Sequence, residues 1–153
     1  MNASSRWLTV AAVLCFVISL LHGAMIFMGP DAYAYFGAPQ LGRAEAAGSP
    51  VPDLMTAGLV LIFGAFGAYA LSGAGRVRRL PLLRVGLAAI GAVFTLRGLF
   101  LFVELAGLAT GAPIPPRMAV FSLVSLITGI AFLAGTLPRW RALNAEPRAL
   151  PSA

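Results

Sequence analysis

Lysine is missing from this chain, histidine and cysteine occur once each, and acidic residues number five among 153. Each shortage removes a class of chemistry. The single cysteine, Cys15 in "VAAVLCFVIS", can form no intramolecular disulfide, CxxC motif or cysteine metal cluster. Among apolar neighbours it reads as a small buried residue. The single histidine, His22, cannot build a histidine-rich metal site, so neither a metal nor a cofactor is expected. No glycine-rich phosphate loop stands between a strand and a helix, and no nucleophile is paired with a base, so the sequence specifies no reaction.

Charge of either sign is also scarce, at 10% of the chain against 59% hydrophobic residues. With a mean hydropathy of +0.90, this composition lies far outside that of a soluble domain. An all-α integral membrane protein follows. Four apolar stretches, at about 7–28, 54–73, 82–109 and 118–137, are each long enough to cross a hydrocarbon core of roughly 30 Å. They predict one four-helix bundle over residues 1–137, its third and longest span tilted or projecting. Arg6 ahead of an apolar run also fits a signal peptide cleaved after "HGA". The run continues to Met28, beyond a usual signal core, which favours a span.

Turn-forming residues separate the spans: "MGPDAYAYFGAP" and "GSPVPD", then "SGAG", then "GAPIPP", then Pro138. Asp53 is placed to cap the second span, and Pro115 and Pro116 to open the fourth. The tail at 138–153 lacks periodicity and is expected to be a frayed helix followed by disorder. Small residues four apart recur in every span: Ser19 and Gly23, Gly64 and Ala68, Ala88 and Ala92, Ser125 and Gly129, Ala131 and Gly135. Such pairs let helix backbones approach closely.

The net charge of +6 comes entirely from arginine, and ten of the eleven arginines lie outside the apolar cores. That distribution is a topology signal and not a groove for nucleic acid, which is not an expected partner. Eight arginines fall before the first span, in "RVRRLPLLR" and in the tail, against two, Arg43 and Arg117, in the other loops. Both termini and the middle loop are therefore expected in the cytoplasm. The loop at 29–52, with Asp31, Glu45 and Asp53 at or beside it, faces outward. Within it, Tyr33, Tyr35 and Phe36 suit an interfacial aromatic belt more than ligand stacking, and a short interfacial helix is expected at about 31–36. Arginine without lysine, with abundant alanine and glycine, is the composition of a GC-rich bacterial genome. A bacterial inner membrane is the expected location.

The eleventh arginine, Arg97, sits with Glu104 inside the third span, in "LRGLFLFVEL". At 1.5 Å per residue Arg97 lies about 20 Å along that span, with Glu104 about 10 Å farther out on the same face. His22 and the serines Ser122 and Ser125 fall at similar depths on the first and fourth spans. These five are the candidate ligand-binding residues. An intramembrane charge is a functional-site hypothesis by default. The competing reading is that Arg97 bonds carbonyls, serines and Glu104 to lock the helices together. Besides the lipid bilayer, the expected partners are a small-molecule or lipid ligand, or a membrane-protein partner or second copy of the chain. Binding or transport of such a ligand, service as an accessory subunit, and catalysis on a lipid-soluble substrate all remain open.

The stretches "LLHGAMIFMGPDAYAYFGAP", "LSGAGRVRRLPLLR" and "LRGL" resemble those of small, largely uncharacterised bacterial four-helix inner-membrane proteins, over about residues 7–137. In number and order of spans the chain is also similar to the DoxX-like group. These resemblances imply a four-span bundle and bring neither an activity nor site residues. Trimeric glutathione-using membrane enzymes have four helices too. Their run of arginine, asparagine and glutamate in the second helix is missing, because residues 54–73 carry no charge.

Overall fold

A computed structural model describes residues 2–141 and Leu143. Residue 142 and residues 144–153, most of the tail expected to be disordered, lie outside the described residues. The described residues are all-helical, with no strand. The helices are α1 (Ala3–Met28), α2 (Pro30–Tyr35), α3 (Pro39–Ala46), α4 (Val51–Gly73), α5 (Leu83–Gly98), α6 (Phe100–Ala109) and α7 (Pro116–Thr136), followed by a 3-10 turn at Leu137–Arg139. Counting α5 and α6 as one, four helices are long and apolar enough to cross a membrane. In hydrocarbon a helix satisfies its own backbone hydrogen bonds, which makes it the form such stretches adopt.

Local chemistry sets the ends. Asn2 Oδ1 accepts from the Ser5 amide at 2.9 Å and caps α1. Gly29, at φ +80, turns the chain out of α1, and Pro30 opens α2 with its missing N–H where none is needed. Proline opens α7 as expected, at Pro116. Asp53 does not cap the second span: α4 starts earlier, at Val51, and Asp53 lies in its first turn. The third span is interrupted at Leu99, where the Phe102 amide bonds Leu99 O at 3.2 Å, three residues back. Gly98, beside the break, presses on α7: a Cβ there would stand 2.5 Å from the Leu126 backbone.

α1 packs along α4 and α7, and α5 packs along α7. Several close approaches need small residues. Gly129 meets Thr95, Gly135 meets Leu8, and Ser19 Oγ donates to Val60 O at 2.8 Å across α1 and α4. At one end, α4 and α5 touch through Gly73 against Leu87 and Gly86 against Tyr69. This end holds the main core, built on Leu8, Cys15, Leu87, Phe94 and Phe132. It is also the arginine-rich end. Arg139 Nη1 donates to Gly73 O at 3.2 Å, and the Arg84 guanidinium lies 4.9 Å over Trp140. Leu143 is buried in the core, and its carbonyl accepts from Arg79. Of the tail's described residues, Leu143 is held at this end because its apolar side chain finds an apolar seat.

The opposite end is covered by α2 and α3, which pack on each other, α2 also on α1 and α3 on α4. Only a short α2 is foreseen in the sequence; α3 is an addition. A small apolar cluster of Met25, Ala32 and Tyr33, with Phe36 and Leu41, holds this cap down. Between that cluster and the main core, α4 and α5 diverge.

Candidate functional site

The divergence of α4 and α5 leaves a cavity of about 640 Å³ in the capped half of the molecule. A volume of this size suits a drug-sized ligand. Its floor is aromatic: Phe63, Phe66 and Phe94 meet with ring centroids 6.0 to 6.2 Å apart, and Phe94 stacks on Phe132 beneath at 6.2 Å. Its roof is the cap, with Tyr33, Phe36 and Leu41. Leu21 of α1, Leu59 of α4, Val93 and Arg97 of α5 and Val120 of α7 line it while remaining exposed, so the cavity opens sideways through the bundle wall, with Arg97 at the opening. That opening faces the surface that these apolar helices present to a membrane.

The walls carry few polar groups. Arg97 reaches across to α7, where Nη1 donates to Ser122 Oγ at 2.6 Å, and its guanidinium lies 5.9 Å from the Phe100 ring. Arg97 is exposed while Ser122 is fully buried. The arginine is thus tethered at one nitrogen and open elsewhere. His22 Nδ1 lies 2.8 Å from Ile18 O. A carbonyl only accepts, so Nδ1 carries the proton and Nε2 is left for other contacts. The ring rests 4.9 Å from Phe63. Ser125 donates to Phe121 O at 3.0 Å within its own helix and also lines the cavity.

Of the five expected site residues, His22, Arg97 and Ser125 line one cavity, and Ser122 holds Arg97 from behind. Glu104 is the exception. It is not on the cavity wall, and its Oε2 is buried with no hydrogen-bond partner, so it is no counter-ion for Arg97. The physical reason is distance: seven residues put the two charges about 10 Å apart along the helix axis even where they share a face. α6 itself buries no residue.

Two polar lining residues, Tyr33 and Thr56, stand outside the expected site. Tyr33 is only 1% exposed and donates to Asp53 Oδ1 at 3.0 Å, whereas Tyr35 is 55% exposed. The belt assignment therefore suits Tyr35 but not Tyr33, nor Phe36, which lies 5.5 Å from Phe121 and lines the cavity. A signal was present in "AYAY": residues two apart on a helix point to different sides, so both tyrosines cannot face the interface. Burial, then the Asp53 carboxylate, push the Tyr33 hydroxyl above its ordinary pKa, although a hydrogen bond with Thr56 opposes them. Tyr33 stays a donor, and its bond to Asp53 latches the cap to α4. A second latch joins α2 to α7, where Arg117 Nε donates to Tyr35 O at 2.8 Å and the guanidinium lies 4.9 Å over the Tyr35 ring.

Glu45 of α3 makes the cap sensitive to pH. Its Oε2 is buried without a partner, and burial followed by the Asp53 charge raises its pKa above the ordinary 4.5. A raised carboxyl pKa means that the folded form binds the proton more tightly. Stability is greatest at acid pH and falls as pH rises from about 4.5 through the raised value. Glu45→Gln should tighten the cap at neutral pH and flatten this dependence. Comparing hydrogen exchange of α3 amides in the two proteins at each pH checks it; identical exchange in both would refute it.

No known protein family, no curated protein and no solved structure matches the chain.

Proposed function

We propose that the protein is a four-span membrane bundle that binds or carries a small membrane-soluble molecule. It sits in a bacterial inner membrane with both termini in the cytoplasm. The observation that carries this reading is the 640 Å³ cavity, apolar in floor and roof, with an arginine at its lateral mouth. A packed side chain placed only for stability would fill such a space, because interiors are otherwise dense. The orientation rests on the arginines gathered in the segments around Arg6, at 76–84 and at 139–141, which put the cavity in the outer leaflet half.

Native mass spectrometry of the full chain purified in mild detergent tests the reading. A retained small molecule is expected on the wild type and lost from Val124→Trp and Leu59→Trp, which place a bulky ring in the cavity. Equal retention by wild type and both variants would overturn it.

A second reading, an accessory subunit, is favoured by one observation. α6 buries none of its residues and exposes Phe102 and Val103 at 61% and 63%, an apolar face open to a neighbouring helix. Phe102→Ala with Val103→Ala should then weaken co-purification of a defined membrane partner; isolation of the chain alone, with or without the substitutions, counts against this role.

A further inference from the structure

We infer that the cavity's ligand is an amphiphile with a small anionic head, a carboxylate or phosphate seated on Arg97, and an apolar tail lying over the phenylalanine floor. The inference rests on the cavity being a binding site and adds the charge of what it takes. Three observations carry it.

The first is charge balance. Arg97 is the one permanently charged residue among those lining the cavity, which include no aspartate or glutamate. Glu104, the carboxylate nearest to it in the span, does not line the cavity, and its Oε2 has no hydrogen-bond partner. An arginine in a membrane span is costly without a counter-charge, and here the chain supplies a serine instead. An anionic head would complete the pair.

The second is geometry. The Ser122 bond occupies Nη1 alone, and a guanidinium presents five N–H donors in a planar fork that matches a carboxylate or phosphate. Because the side chain is exposed at the mouth, the fork is reachable from the lateral opening.

The third is depth. Arg97 is about 21 Å along α5 from Leu83, and Ser122 is about 9 Å inside the start of α7, at 1.5 Å per residue. A head bound there sits below the membrane surface. A small head can leave the interface to pair with Arg97, and the tail then meets Phe63, Phe66 and Phe94 instead of water.

The test uses the full chain in neutral maltoside micelles at mildly alkaline pH, titrated with dodecanoate, dodecyl phosphate, dodecanol and dodecyltrimethylammonium. One or both anions should bind about tenfold or more tightly than dodecanol, the scale of a charge-assisted hydrogen bond, and the cation should bind worst. Whichever anion binds better identifies the head as carboxylate or phosphate. Arg97→Gln should bring anion and alcohol to equal affinity, and Arg97→Lys should keep part of the preference. Equal binding of anion and alcohol by the wild type overturns the inference but leaves a cavity that takes apolar chains. Binding of none of the four overturns the cavity reading as well. The wild-type comparison decides the sign without any variant, so a poorly folding variant does not blunt the test.

Discussion

Arg97→Leu is expected to give a protein that is about as stable as the wild type and that has lost its ligand. Insertion scales put arginine at a helix centre about 2.5 to 3.5 kcal/mol above water and leucine slightly below it, so the exchange favours the membrane by about 3 kcal/mol. Against this stands one hydrogen bond to Ser122, and polar bonds between membrane helices average about 0.6 kcal/mol. The unfolded chain keeps its helices in the detergent and shares most of the insertion gain, so the folding balance changes by no more than about that one bond. Ser122 need not be orphaned, because a serine in a helix can bond the carbonyl four residues back, as Ser125 and Thr128 do in the same helix. The checks are thermal unfolding in detergent and native mass spectrometry on the same sample. A variant that unfolds several degrees below the wild type would make Arg97 a structural clamp between α5 and α7.

Gly98→Leu is expected to prevent folding, and Gly98→Ala to cost on the order of 3 kcal/mol, the upper part of the overpacking range. Even a single Cβ at Gly98 would lie 2.5 Å from the Leu126 Cα and amide nitrogen, and backbone cannot swing aside as a side chain can. Gly129→Ala should behave similarly, since its Cβ would run into Thr95. Gly58 provides the contrast. Nothing lies within 4 Å of a Cβ there, so Gly58→Ala should be neutral or gain up to about 1 kcal/mol in helix propensity. Size-exclusion profiles after graded heating would rank the four variants. Equal tolerance at positions 98 and 58 would mean that α5 and α7 do not cross this closely.

These two expectations bear on one feature. The close crossing at Gly98 and Gly129 draws α5 onto α7, while the far half of α4 has no comparable glycine contact with α5. The gap between α4 and α5 belongs to the cavity. Loss of the crossing would therefore disturb the site as well as the fold.

The sequence by itself determined the helical class, the four apolar spans and the clustering of arginines at particular loops, because apolar run length and charge placement are properties of composition along the chain. It also placed His22, Arg97, Ser122 and Ser125 at matching depths, since rise per residue converts position into depth wherever a helix is regular. Only the tertiary structure decided which way each side chain turns and what lies beside it. The small-residue motif singled out Ser125 with Gly129 but not Gly98, because close approach depends on the partner helix and not on spacing within one chain segment. Periodicity puts Glu104 on the face of Arg97, but seven residues of rise leave the two about 10 Å apart along the axis. Tyr33 was drawn to the interface by its type, yet lies buried under the cap because Asp53, twenty residues on, accepts its hydroxyl proton at 3.0 Å. The cavity itself exists in no segment of the sequence: it is the space left where α4 parts from α5 beneath α2 and α3, and only packing of distant segments can make it.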